Sequence, residues 1–256
     1  MMRMKKNRSN RRPGVILWLS YITAGVCFLV SVFFLYRIFG DYNRNRQIYQ
    51  KVKEEYTRPT EETKEEAKEA ATPSKAKEPQ LQVDLKGLKE NYPDVAAWLY
   101  IPEVLSYPVM YSGDNERYLD HAYNGQKDKA GSLFLDQNDH PDMTDRHMII
   151  YGHNMKDGSM FGRLKEYLRD RDFVSAHPYF YLYNGKEELR YRIVSCRQVE
   201  MTDDVYTVYG KDDLGYETFA RKIIGLDDEN SNKQTVTLST CSVTDQRFII
   251  TGLQDN

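Results

Sequence analysis

From about residue 81 onward, apolar and polar side chains alternate in short runs of period two, the pattern of β-strands with one face buried. Ala96 to Ile101, Tyr107 to Tyr111, Ser132 to Leu135 and His147 to Tyr151 read as strands, and Tyr179 to Tyr183 with Glu188 to Cys196 as a hairpin around the turn dipeptide Asn184-Gly185. A last hairpin spans Thr235 to Thr251. In its first arm Val236 and Leu238 point one way, while Thr235, Thr237, Ser239 and Cys241 point the other. Symmetric closure of the loop from Ser242 to Gln246 would pair 237 with 251, 239 with 249 and 241 with 247, setting Cys241 across from Arg247. Helical spacing is rarer. Asp84 caps a short helix to Asn91 that Pro93 stops, and Asn115 to Tyr123, Ser159 to Leu168 (stripe Phe161, Leu164, Leu168) and Leu214 to Leu226 (stripe Phe219, Ile223, Leu226) complete the set. Many short strands with few helices predict a mainly β domain, closed or nearly closed to protect its edges.

The pattern changes abruptly at the amino terminus. Val15 to Phe39 is an apolar run, long enough for a bilayer span of about 20 residues. A removable signal peptide also starts basic, but this run exceeds the usual apolar core and no small-x-small cleavage pattern follows Phe39. The expected organisation is a basic cytoplasmic tail at 1–14, a transmembrane anchor at 15–39, a polar stalk or linker at 40–80 and a globular domain at 81–256. Arg3, Lys5, Lys6, Arg8, Arg11 and Arg12 favour a cytoplasmic amino terminus, against Arg37, Arg44, Arg46, Lys51 and Lys53 on the far side. The stretch Glu61 to Ala71 is rich in helix formers yet has no apolar face to bury, which suits a solvated stalk.

Charge adds an exclusion. Lys and Arg total 36 against 38 Asp and Glu, and beyond the amino terminus the signs are interspersed, so no basic surface for nucleic acid is expected. Five histidines have no Cys or His partner at zinc spacing, so neither metal nor cofactor is expected there. Asp203-Asp204, Asp212-Asp213 and Asp227-Asp228-Glu229 read as solvated loops, with calcium the metal their oxygens would suit. Cys27 lies in the apolar run and Cys196 in a strand, so a disulfide framework is not expected.

Cys241 at a strand end suits either a small buried residue or a nucleophile, and a guanidinium across the ladder would favour its thiolate. His153 emerges where a strand gives way to a loop. Taken together, Tyr151-Gly-His-Asn-Met155, Thr237-Leu-Ser-Thr-Cys241 and Arg247 resemble the signature of the sortases, cysteine transpeptidases of Gram-positive cell surfaces. Trp98-Leu-Tyr-Ile-Pro102, Tyr107-Pro-Val109, Gly131-Ser-Leu-Phe-Leu-Asp136 and the segment from His147 to Leu168 are similar too, in the same order, extending the likeness over about residues 81 to 254. Ser239, Asn154-Met155 and the helical insert before the last hairpin look most like class B. The loop from Cys241 to Arg247 is shorter than in many class B members, which sets Asp245 apart from the pattern.

The resemblance implies a closed eight-stranded β-barrel whose catalytic residues are His153, Cys241 and Arg247. It implies a C-terminal sorting signal of the Asn-Pro-x-Thr type on secreted surface proteins, and an acceptor amine on peptidoglycan precursor or a pilin lysine. The domain would face outward from a Gram-positive membrane. Ser239, on the face of Cys241, with Thr240 and Asn154 are candidate substrate contacts, Ser239 and Thr240 being equally suited to finishing the strand. A cysteine peptidase passing the acyl group to water and a non-enzymatic surface module are the alternatives. Papain-like peptidases place Cys before His, the reverse of the order here.

Overall fold

The computed structural model describes residues 13–59, 81–241 and 246–255. Helix α1, Pro13–Tyr56, crosses from one compact unit, ending at Arg44, into a second that begins at Asn45. The first unit is a helix long and apolar enough to cross a membrane. Its apolar side chains, Leu17, Trp18, Phe28 and Phe33 among them, are exposed. The hydroxyls of Ser20, Thr23 and Ser31 turn back to carbonyls one turn earlier, so each is bonded within the helix.

The second unit is a closed barrel of eight strands. They are β3 (Val95–Ile101), β4 (Leu105–Met110), β5 (Leu133–Leu135), β6 (His147–His153), β7 (Tyr179–Tyr183), β8 (Glu188–Glu200), β9 (Thr235–Cys241) and β10 (Gln246–Gln254). Around the barrel the order is β10, β8, β7, β3, β4, β5, β6, β9. Neighbours are antiparallel except at two joins, β4 with β5 and β6 with β9. A parallel join needs a long crossover, and the one between β6 and β9 contains the β7–β8 hairpin and the insert at 201–234. Closure leaves no free edge.

Period two decides the barrel's inside. Met148 and Ile150 of β6, Val236 and Leu238 of β9, and Leu133 of β5 belong to one apolar core with Trp98, Leu99 and Phe161. Trp98 is fully buried because its indole N–H has a partner in the Ser106 hydroxyl at 3.1 Å. Gly152 takes the next inward position on β6. A Cβ there would overlap Leu133 Cδ2 and stand 2.8 Å from Phe161 Cδ2, so only glycine lets Phe161 pack beneath the strand that carries His153.

The expected strands are present, within a residue or two at most ends. The helix at Leu85–Asn91 (α2) forms as read, with the Asp84 carboxylate accepting from the Gly87 N–H at 2.9 Å. Other expectations need correction. Of the helix expected over 115–123, a 3-10 turn at Arg117–Leu119 remains. Of the helix expected over Ser159 to Leu168, only the last turn forms, at Glu166–Arg169; residues 159–165 are turns, because Phe161 N–H is drawn to the His153 carbonyl at 3.0 Å and Met160 adopts φ 50°. Phe161 and Leu164 are buried there, but Leu168 is exposed and Tyr167 takes the inward place. The Asn184 turn has four residues rather than two, its side-chain oxygen accepting from Lys186 and Glu187 N–H. Leu214 to Leu226 becomes a short helix, Tyr216–Phe219, running into a π-turn, Ala220–Ile224, that turns Phe219 and Ile224 inward.

Part of the stretch expected to be a polar stalk at 40–80 packs into the barrel unit instead. Tyr49, Val52 and Tyr56 of α1 are buried in the barrel unit. Strand β1, Thr57–Pro59, pairs antiparallel with β2, Leu81–Val83. Three apolar side chains at helical spacing suffice to dock a turn of helix while the rest stays polar. Residues 60–80 and most of the basic tail, 1–12, lie outside the described residues.

Gly152→Ala should destabilise the barrel by about 1–3 kcal/mol, the usual cost of overpacking. Thermal unfolding checks it. An unchanged melting temperature would mean that Leu133 and Phe161 yield freely.

Candidate active site

The parallel join of β6 with β9 builds the site. Its register pairs His147 with Thr235, Ile149 with Thr237, Tyr151 with Ser239 and His153 with Cys241, on strands about 4.8 Å apart. On β10 the recorded pairing with β9 begins at Ile249 with Ser239 and Thr251 with Thr237, as expected. Beyond Ser239 the Thr240 hydroxyl, bonded to Phe248, takes over from the ladder, and the Arg247 guanidinium comes to the Thr240 carbonyl. Of the expected neighbours of Cys241, His153 is the one set by strand pairing. The connecting residues 242–245, including Asp245, lie outside the described residues.

The insert at 201–234 covers the outward side of these strands, so residues that alternation would put in water are buried. Thr235, Thr237 and Ser239 are fully buried, and Ile249 packs with Val199 and Val205. Polar groups placed there must be bonded. Thr237 and Thr251 bond one another at 2.9 Å. Ser239 shares its hydroxyl with Tyr206 at 3.0 Å. His147 accepts from Thr235 at Nδ1, 2.8 Å, and donates from Nε2 to the Val205 carbonyl at 3.1 Å, since a carbonyl only accepts. Burial pushes its pKa down to about 4, the Val205 carbonyl opposing that only in part, and the ring stays neutral.

His153 is half-buried at the end of β6, and its Nε2 lies 2.7 Å from the Leu119 carbonyl. By the same donor rule Nε2 carries the hydrogen, leaving Nδ1 as the nitrogen that gives and takes a proton. Arg247, also half-buried, is pinned by pairing with Val199 of β8. Its guanidinium reaches the Thr240 carbonyl and the Met201 sulfur, each at 3.4 Å, long contacts that leave it able to turn to a stronger acceptor.

The three candidate binding residues part ways. Asn154 is exposed beside His153. Ser239 has no accessible surface, so its hydroxyl meets Tyr206 instead of solvent. Thr240 is buried on the opposite side, its hydroxyl accepting from Phe248 N–H at 3.0 Å and donating to Phe248 O at 3.2 Å, a clamp where the ladder ends. From the sequence Tyr206 has no assigned role, and Tyr151 figures only as part of a strand and of the Tyr-Gly-His segment. Their rings stack with centroids 6.4 Å apart, and the Tyr151 hydroxyl donates to Asp136 at 2.9 Å. The signal for Tyr206 was the acidic pair before it: Asp203 caps a turn by accepting from Val205 N–H. Cys196 packs against the core from β8, and burial raises its thiol pKa to about 11, the mark of an inert cysteine.

A family model described as a sortase domain matches residues 99–254. Sortase B of Listeria monocytogenes is 35% identical over 171 residues, 63% of this chain and 68% of that protein. The crystal structure of sortase B from B. anthracis superposes with a TM-score of 0.66 at 26% identity, covering 84% of this chain and 98% of its own. A Streptococcus pyogenes class B sortase involved in pilus biogenesis gives a TM-score of 0.59 at 26% identity, over 68% of this chain and 98% of that one.

His147 makes a pH prediction. Its folded pKa, about 4, lies below the ordinary value of 6.5, so its contribution to stability is present above pH 6.5 and is lost as pH falls through 4. The stability difference between wild type and His147→Gln should therefore shrink over that window in urea titrations. A constant difference would show that the ring is not held neutral.

Proposed function

Because the chain belongs to the sortase family and is most like its class B members, we propose that it is a membrane-anchored cysteine transpeptidase. It would cut a C-terminal sorting signal of the Asn-Pro-x-Thr type on secreted surface proteins and join the new carboxyl end to a cell-wall amine. The observation that carries this reading is the parallel register pairing His153 with Cys241.

The Cys241 thiolate attacks the threonine carbonyl carbon, and the Arg247 guanidinium stabilises the oxyanion that forms. His153, protonated at Nδ1, gives that proton to the departing amine, leaving a thioester. The acceptor amine then attacks the thioester, His153 takes up its proton, and Cys241 is released as the thiolate. Asn154 contacts the signal directly, whereas Ser239 and Thr240 act from beneath, through Tyr206 and the clamp on Phe248. A peptidoglycan precursor is the first choice of acceptor. A pilin lysine is the second, favoured by the likeness to the pilus-biogenesis sortase.

A panel of sorting peptides with a nucleophilic amine checks the chemistry. Asn-Pro-x-Thr peptides should be ligated, Cys241→Ala should be inactive, and Arg247→Lys should lose roughly 100-fold in kcat/KM, because a point charge replaces a planar fork. Ser239→Ala should raise KM while alkylation of Cys241 by a small reagent stays near the wild-type rate. Activity in Cys241→Ala would end the mechanism, hydrolysis without ligation would make the enzyme a peptidase, and exclusive use of Leu-Pro-x-Thr-Gly peptides would overturn the class B substrate.

The apolar helix and the basic residues before it favour a cytoplasmic tail and an outward-facing domain. Protease added to intact protoplasts should digest the domain. Its survival until lysis would reverse the orientation.

A further inference from the structure

The Leu119 carbonyl fixes which nitrogen of His153 carries hydrogen, so whatever holds Leu119 holds the state of the base. We propose that Tyr49, in the part of α1 that belongs to the barrel unit, is a positioning residue for His153, acting through the turn at Gly131-Ser132 and the Leu119 carbonyl. The proposal rests on the transpeptidase reading for the role of His153.

Tyr49 is 4% exposed and its hydroxyl has two partners, the Gly131 carbonyl at 2.7 Å and the Ser132 hydroxyl at 2.8 Å. Its ring is wedged edge-on against Tyr107, with Tyr123 on another side, so the oxygen has little freedom to move away. Ser132, fully buried, passes the connection on. Its hydroxyl donates to the His121 carbonyl at 2.9 Å and its N–H to the Tyr118 carbonyl at 2.9 Å. Gly131 lies directly on the same segment. At φ 57° it is in the left-handed region, and a Cβ on it would stand 2.6 Å from the Leu119 oxygen and closer still to that of Tyr118. The Leu119 oxygen accepts from His153 Nε2 at 2.7 Å. Between the Tyr49 hydroxyl and the imidazole there is thus one turn and one peptide plane.

The segment has other anchors on both sides of Leu119. Asp114 caps Glu116 and Arg117 N–H, and the Tyr118 hydroxyl donates to Asp94. Beyond Leu119, the Asp128 N–H donates to the Asp120 carbonyl at 2.8 Å and the Gly131 N–H to the Asp128 carbonyl at 3.0 Å, and the Gly131-Ser132 turn is held by these bonds and by the Tyr49 hydroxyl. Removing that oxygen takes away the single phenolic hydrogen and leaves the buried Gly131 carbonyl short of a donor, a loss the turn can relieve only by shifting. A shift reorients the Leu119 carbonyl, and the Nδ1–H form of His153 becomes populated. In that form the ring cannot take a proton at Nδ1.

The test uses the full chain in detergent micelles. Tyr49→Phe keeps the ring and drops the oxygen. Nitrogen NMR of histidine-labelled protein, with His153 assigned from its own variant, should show a single Nε2–H tautomer in wild type and a mixture in Tyr49→Phe. Against an Asn-Pro-x-Thr peptide, kcat should fall roughly tenfold while KM stays within about twofold. An unchanged tautomer in Tyr49→Phe overturns the proposal even if kcat falls, since Tyr49 would then serve the fold alone. A wild-type chain that ligates no sorting peptide, yet shows the tautomer change, would remove the transpeptidase reading and leave the positioning of His153 standing.

Discussion

The parallel pairing of β6 with β9 is the constraint on which the site depends. Strands so distant in sequence become neighbours only because a long crossover returns the chain beside β6, and backbone hydrogen bonds then set the register residue by residue. A one-residue slip would exchange inward and outward faces along the whole strand. It would bring Val236 and Leu238 out of the core and carry His153 and Cys241 to opposite sides. The apolar core therefore enforces the register that pairs His153 with Cys241, and Gly152, where Phe161 packs against the strand, is where the two meet most tightly.

The same face shows why the site is both polar and dry. The insert at 201–234 closes over the outward side of β6, β9 and β10, burying a row of threonines, a serine and His147. Each hydroxyl there has a partner, and His147 is kept neutral by burial. Such a network tolerates few rearrangements, because a lost partner leaves a buried polar group unpaired. His153 and Arg247, half-buried at the end of this row, inherit a rigid floor.

Much of this was legible in the sequence. The period-two runs placed the strands, since alternation reports which side of a strand meets the core. The hairpin register, 237 with 251 and 239 with 249, followed from counting across the final loop. The apolar run before Phe39 set out the helix suited to a membrane, because length and composition alone decide that. The Tyr-Gly-His and Ser-Thr-Cys segments carried the family likeness.

What the tertiary structure decided was where local preference lost to distant contacts. Ser159 to Leu168 has helical spacing, but the His153 carbonyl captures Phe161 N–H and turns replace all of the helix before Glu166. Residues 45–56 look solvated until Tyr49, Val52 and Tyr56 find the barrel surface. Ser239 faces outward by alternation, as read, but the insert that covers it belongs to another part of the chain. Leu119 meets His153 only through a backbone carbonyl that accepts from Nε2, and a backbone atom leaves no mark in a sequence pattern. Periodicity records which side of an element is apolar. Which segment comes to lie against that side is settled only when the barrel closes.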